Sequence, residues 1–428
     1  MITSRERLGL NEEWVLEIEG LYYPANGHSS AIAGRQFADP ANLPAQYQAL
    51  ALFESLGKRL VPDFSISDET DAGCPLTAVQ RIAQLVQGLP LGIELAASWL
   101  RMLNCTEIAT EIENSLDFLS GAKYDLPSRH RSLRAVFDSS WQLLNTAEQQ
   151  VLRRLSVFHG PFDRSAATAV SDASLATLSA LVDHSMLHRQ EMPTDDQTMG
   201  HFELLDVLRQ YATEQLETNT AEADHVREQH AAFYLRFLQQ QLDVLKGSNQ
   251  LEAVAGISQN IKEIRSAWRW AVQHRDIARL SGALDALALF YYMRSWFTEG
   301  ADLFGFATQE LEAERGRPQV DNLLARLSIR QGWFTFLLGN QQEGRDHMHS
   351  SIKHLRSGGD PLDLAFSLSF TAAALAILGS YEEAKILAEE ALAINEQCRD
   401  AHGCAISNNI LSQIAYQQGD YSVAKQHC

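Results

Sequence analysis

Basic residues are scarce in this 428-residue chain: 35 Lys and Arg stand against 54 Asp and Glu, a formal charge of -19. Binding to a polyphosphate by counterion release needs clustered Lys and Arg. Residues 1–120 carry 7 basic and 16 acidic side chains, residues 121–218 carry 9 and 13, and residues 219–428 carry 19 and 25. With no net-basic segment, direct nucleic-acid binding is not expected. Cysteine is scarce as well. Cys74, Cys105, Cys398, Cys404 and Cys428 are odd in number and widely spread, with neither a CxxC pair nor a disulfide-scaffold cluster. A reducing cytoplasm fits that usage best. Long apolar runs are missing: the strongest, "LPLGIELAASWL", holds Glu94 and is too short to span a bilayer. The N-terminus lacks the basic and apolar regions of a secretion signal. Neither export nor a membrane span is expected.

Signatures of catalysis are wanting too. There is no GxxxxGKS/T string; the nearest, "SLGKRL" around Gly57 and Lys58, lacks the first Gly and the hydroxyl residue and falls in a helical pattern. Its Lys reads as a helix-surface side chain. There is no HExxH, and His347, His349 and His354 share a polar helix surface without a carboxylate or Cys at metal-ligand spacing. "GHSSA" at Gly27 to Ala31 approaches a nucleophile elbow, but Ala31 replaces the last Gly and no strand-turn-helix frame surrounds it. The chain as it stands is not expected to be an enzyme, and it implies no cofactor or metal of its own.

At this length two to four domains are expected. The opening "MITSRERL" reads as the end of a buried strand whose earlier residues are missing, and "EEWVLEIEGL" alternates Trp14, Leu16 and Ile18 against Val15, Glu17 and Glu19 as one strand. A Gly/Pro/Asn/Ser-rich connector follows. From about residue 45 apolar residues recur at helical spacing. In "QGLPLGIELAASWL", Gly88 ends one helix and Pro90 fixes φ for the next. The stretch from "SLRAVFDSSW" to "LRQYATEQL" gives four helices, two short strands around "EMPTDDQTMG" and a final helix, a winged-helix plan. Asn145 and Thr146 supply an N-cap before "AEQQVLRRL".

Beyond residue 219 the pattern is wholly helical and repeats. "LGNQQEGRDHMHSSI", "LGSYEEAKILAEEAL" and "QGDYSVAKQHC" align Gly339, Gly379 and Gly419, 40 residues apart each time. "RSWFTEGADLFGFA" is a weaker copy, with Phe297 in the place of Tyr381 and Tyr421, and Gly300 in the place of Ala384 and Ala424. Each Gly should end a first helix at φ > 0, the aromatic should pack within the pair, and the small residue should let two backbones approach. The units resemble tetratricopeptide repeats of about 40 residues. Gln341 and Gly344 depart from the aromatic and the Ala, so that unit is expected to be irregular. The last repeat stops inside its second helix, so the chain is expected to be cut at both ends.

"TSRERL", "GLPLGIELAASWL", "RHRSLRAVFDSSWQLLNTAEQQVLRRLSVFHGPF" and "FELLDVLRQYA", in that order and spacing, resemble the signal-transduction ATPases with numerous domains (STAND), specifically NB-ARC-like (AP-ATPase) bacterial regulators ending in helical repeats. The resemblance covers roughly residues 1–275. It implies a mainly α chain of four parts: residues 1–25 as the remnant of an α/β nucleotide-binding subdomain, 26–120 as a helical lid with the GLPL turn, 121–218 as a winged helix, and 219–428 as a tetratricopeptide-type solenoid. It implies that Thr3 and Arg5 belong to the sensor of the nucleotide's terminal phosphate, although Thr3 and Glu6 also suit a capping box. Pro90 would pack on adenine, with Gly88 letting the backbone come close. Asp206 matches an acidic winged-helix position that a phosphate-binding His often precedes; here Leu205 stands instead, and His201 falls on the wing strand. The complete family protein would be an ATP/ADP switch with Mg²⁺, transducing a protein or small-molecule signal received on the repeats and able to oligomerise on ligand binding. The rival expectation is a non-catalytic scaffold whose repeats hold a protein partner.

Overall fold

A computed structural model describes residues 20–24, 47–61, 64–67, 74–119, 132–192 and 199–427. The chain is mainly α-helical and divides into two compact units, Met1–Arg227 and Glu228–Cys428. Thr3, Arg5 and the strand expected around Trp14 lie outside the described residues.

The first unit begins with a helical group. Helix α1 (Gln48–Leu60) turns Ala49, Leu50, Phe53 and Gly57 inward at helical spacing. Gly57 is required there, because a Cβ would fall 2.3 Å from the Phe64 ring. Lys58 of the phosphate-loop-like string is a surface residue, 56% exposed and paired with Glu54 at 2.7 Å. A short parallel pair, β1 (Ile66–Ser67) and β2 (Cys74–Pro75), leads into α2 (Leu76–Leu85), α3 (Pro90–Ser98) and α4 (Cys105–Asn114). Helix α1 packs on α3 and α2 on α4. Asn104 opens α4 with a capping box to Glu107. Cys105 is buried and disulfide-bonded; spacing along the chain does not say which thiols fold together.

Next come α5 (Leu133–Trp141), α6 (Thr146–Leu155), α7 (Arg164–Ser171) and α8 (Leu175–Asp183), the hairpin β3 (His188–Met192) and β4 (Met199–Glu203), and α9 (Asp206–Glu217). The hairpin is antiparallel, from His188 opposite Glu203 to Met192 opposite Met199, and Phe162 bridges to Phe202 on its other edge. Asn145 caps α6 in a box with Glu148. Phe158 and Phe162 stack at 4.2 Å in a core with Leu152, Leu178, Leu181 and Tyr211. Between α7 and α8 the chain turns at Asp172 in the left-handed region, and the two helices meet at 105°.

Helix α10 (Thr220–Lys246) contains the boundary between the units. Its first two turns pair within the first unit: Glu222 with Arg153 and Arg154 at 2.8 Å each, and Arg227 with Glu217.

The second unit continues with α11 (Gln250–Gln259) and α12 (Ile261–Gln273), followed by the helical hairpins α13 (Ile277–Met293) with α14 (Phe297–Leu311), α15 (Pro318–Leu337) with α16 (Gln341–Leu355), α17 (Pro361–Ile377) with α18 (Tyr381–Cys398), and α19 (Ala401–Gln417) with α20 (Tyr421–Gln426). Gly339, Gly379 and Gly419 sit at φ 98°, 82° and 82°. Each donates its N–H three residues back, to Phe336, Ala376 and Tyr416, while the next N–H reaches five back, to Thr335, Leu375 and Ala415. That double closure is the Schellman end that the glycine spacing predicts. The weaker copy makes the same turn with Ser295 at φ 55°.

Ala384 is fully buried at its helix crossing and Ala424 nearly so. The unit expected to be irregular is instead closely apposed: a Cβ on Gly344 would lie 2.7 Å from the Gly332 carbonyl oxygen, and one on Gly332 would lie 2.8 Å from that of Gly344. Two glycines facing each other bring the backbones nearer than Ala would allow. Across α13, α15 and α17, Arg326 bridges Asp285 (3.1 Å) and Asp363 (3.0 Å), and Arg330 pairs with Asp285 beneath the Phe366 ring. Three successive first helices are thereby linked by charge as well as by apolar contact.

Candidate functional site

The segment Gln87 to Leu91 organises a cleft inside the first unit. Helix α2 ends in the same double closure as the repeats, Gln87 donating to Gln84 and Gly88 to Ala83, with both Gln87 (φ 47°) and Gly88 (φ 69°) left-handed. Gly88 is obligatory for a second reason: a Cβ there would lie 2.1 Å from the Leu21 carbonyl oxygen. Leu21 in turn donates its N–H to the Gly88 oxygen at 2.9 Å, and Gln84 donates its side-chain N–H to the Pro24 carbonyl at 2.7 Å. Residues 20–24 are thus strapped to this turn, and the open side of Gly88 is taken by the chain itself.

Pro90 then begins α3, where its missing N–H costs nothing. Its ring lines a cleft of about 210 Å³ together with Leu89, Leu91, residues of α5 (Leu133, Val136, Phe137, Ser140), the turn after α8 (His184, Ser185, Met186), and Leu205 and Leu208 at the start of α9. The walls are almost wholly apolar, and among the described residues lining it none is Lys, Arg, Asp or Glu. Ser185 is left-handed (φ 56°), so the turn that brings His184, Ser185 and Met186 to the cleft is tightly specified.

Asp206 stands beside the cleft in the first turn of α9. Its backbone N–H donates to Gln87 Oε1 at 3.3 Å, and its carboxylate accepts from Arg209 at 2.5 Å. Burial, followed by the nearby Glu203 and Asp206 carboxylates, raises the Tyr23 hydroxyl above its usual pKa. Of the residues singled out in the sequence, Gly88, Pro90 and Asp206 therefore gather in one place, and Leu205 joins Pro90 in the cleft wall. His201 lies on β4. The sequence reading missed Val136, Phe137, Ser140 and Ser185, whose apolar or small character reads as ordinary core. Among the described residues no three of His, Cys, Asp and Glu gather as metal ligands, and no single helix is long and apolar enough to cross a membrane.

The order α6–α7–α8, a bridging residue, and a hairpin decides the nature of the second half of this unit, and residues 144–217 match the family described as a winged helix-turn-helix domain. This segment is a winged helix. Its helix-turn-helix pair is α7 and α8, whose 105° crossing suits that motif.

The chain is similar to proteins of Mycobacterium bovis and of Mycobacterium tuberculosis named, provisionally, HTH-type transcriptional regulators, at 30% identity over 275 residues, 63% of this chain and 30% of each relative. The chain thus spans under a third of the length of these relatives. An uncharacterised Mycobacterium tuberculosis protein is 29% identical over 209 residues, 47% of this chain and 50% of that one. Among solved structures, BtubC from P. vanneervenii is similar at 15% identity and a TM-score of 0.33, over 47% of this chain and 87% of that chain. A STAND protein with a tetratricopeptide repeat sensor from Pyrococcus horikoshii is similar at 15% identity and a TM-score of 0.29, over 88% of this chain and 58% of that chain. Neither of these structural likenesses speaks to activity.

Proposed function

We propose that this chain is the regulatory and sensing portion of a STAND-type, ATP/ADP-switched transcriptional or signalling regulator, with helical repeats that receive a protein or small-molecule signal. The observation that carries the reading is the shared cleft: the lid helices contribute Pro90 and the winged helix contributes Leu205 and Leu208 to the same walls. A molecule seated there touches both groups of helices and stabilises their closed arrangement over any open one by its differential affinity. A signal on the repeats would act by biasing that same equilibrium. Relatives provisionally named transcriptional regulators support this role.

The fit to ADP is partial. Pro90 and Phe137 bring rings and Leu89 an apolar side chain to the walls, as a purine ring needs, but the described walls hold no cation for its phosphates. Hydrolysis is not assigned to this chain, because phosphoryl transfer depends on backbone amides and cations around the phosphates. The scaffold reading is favoured by one observation, Leu205 at the position where the resemblance calls for His. Hydrogen exchange on the whole chain separates the two. With adenosine or ADP present, amides in residues 87–91, 184–186 and 205–208 should slow together if the cleft is a ligand seat. Unchanged exchange there with every purine compound would sink the switch reading in favour of the scaffold.

A further inference from the structure

The chemistry of the cleft disagrees with a phosphate-bearing ligand, and from this disagreement we propose that it takes an uncharged planar heteroaromatic molecule of one or two rings, such as an unphosphorylated purine base or nucleoside, in preference to any nucleotide. The proposal rests on the cleft named above as a ligand seat, but not on adenine as its occupant.

Size is the first argument. At about 210 Å³ the cleft is smaller than the roughly 300 Å³ at which pockets for drug-sized molecules begin. A fused ring fills it. The second is the lining: Leu89, Pro90, Leu133, Phe137, Met186 and Leu208 present carbon, and a phosphate moved against carbon loses its hydration without compensation. Charge-assisted donors of the kind that hold phosphate are absent from the described lining residues.

Helix N-termini could have supplied such donors, and two of them start at this cleft. The leading N–H of each contributes nothing, which leaves only the N–H groups deeper in each first turn. Pro90 has none, and that of Asp206 is donated to Gln87 Oε1. The Asp206 carboxylate itself occupies the first turn of α9, where it answers the helix dipole and engages Arg209. Glu203 adds a second carboxylate close by, as the pair's joint effect on the Tyr23 hydroxyl shows. A neutral ring gains burial there without bringing a charge against these two carboxylates.

Isothermal titration calorimetry of the whole chain with adenine, adenosine, AMP, ADP and indole tests this. Affinity should fall as phosphates are added, with adenosine at least about tenfold tighter than ADP in low salt and the gap narrowing as salt screens the rim. Val136→Phe, which fills the cleft, should abolish binding of the neutral compounds. Leu205→Lys, which places a cation in the wall, should reverse the order in favour of ADP. ADP binding more tightly than adenosine to the unmodified chain would overturn the proposal while leaving an adenine-nucleotide seat standing. Binding of indole alone would uphold the proposal and remove adenine from the proposed function. No heat from any compound at millimolar concentration would overturn both.

Discussion

Glu222 is held by two guanidinium groups at the point where α10 leaves the winged helix. Burial alone would raise its carboxyl, but hydrogen bonds from Arg154 and then Arg153 outweigh burial and keep its pKa below the ordinary 4.5. As the pH falls, the unfolded chain takes up this proton before the folded one does. The stabilisation is therefore complete above the unfolded carboxylate pKa and is lost as pH drops through the lower, folded value. Glu222→Gln keeps the shape and removes the charge, so it should cost about 1.5–3 kcal/mol at neutral pH, the range for hydrogen bonds to charged groups. Urea unfolding at several pH values checks it: the gap between parent and variant should close as the pH falls below the ordinary carboxylate range. A gap that stays constant across this range would mean that packing, not charge, holds the turn. Neither Glu222 nor its partners stood out in the sequence, because an ion pair between distant positions leaves no local pattern. Gly88 did stand out, but its second requirement, the Leu21 carbonyl, comes from a segment far upstream and could not be read from "GLPL" alone.

Local signals made the elements of the second unit legible. The equal spacing of Gly339, Gly379 and Gly419 reports a backbone conformation that L side chains disfavour, and that constraint acts within a few residues. The winged helix was readable for the same reason, from caps and a polar turn between short strands. Gly344 was misread as a mere departure from Ala, since its reason, Gly332, lies on the neighbouring helix and the motif alone does not display it. Three substitutions separate these cases. Ala384→Leu should overpack a fully buried crossing and cost about 1–3 kcal/mol. Gly344→Ala should also destabilise by about 1–3 kcal/mol, although it adds only one methyl, because its obstacles include the backbone oxygen of Gly332 and the backbone nitrogen of Phe336. Glu383→Ala, on the exposed face of α18, should stay within about 0.5 kcal/mol of the parent. Thermal melts of the three variants decide the register: a destabilised Glu383→Ala beside an unaffected Ala384→Leu would place the crossing on the wrong face.

For the molecule as a whole, relatives with regulator names and a winged helix invite a DNA-binding role, and charge argues the other way. In a DNA-reading helix-turn-helix the second helix enters the major groove and its side chains meet base edges and phosphates. Here that helix is α8, with the sequence Leu175 to Asp183, which contains no Lys or Arg and carries Asp183 as its charged residue. Its solvent-facing positions include Leu175, Ala176 and Ser179. Such a surface offers phosphates no counterion to displace and guanine no bidentate donor. Several of the segment's arginines are already committed to carboxylates: Arg134 to Asp117 and Glu214, Arg153 to Glu222, Arg154 to Glu222 and Asp172, and Arg209 to Asp206. A fold does not fix a function, and these pairings leave those guanidinium groups engaged within their own chain. We therefore predict that the chain shows no tight duplex binding in gel-shift titrations at low salt, where electrostatic attraction is strongest, and that raising the salt leaves the result unchanged. Nanomolar, steeply salt-dependent retardation of a duplex would show instead that cations elsewhere on the chain present the domain to DNA.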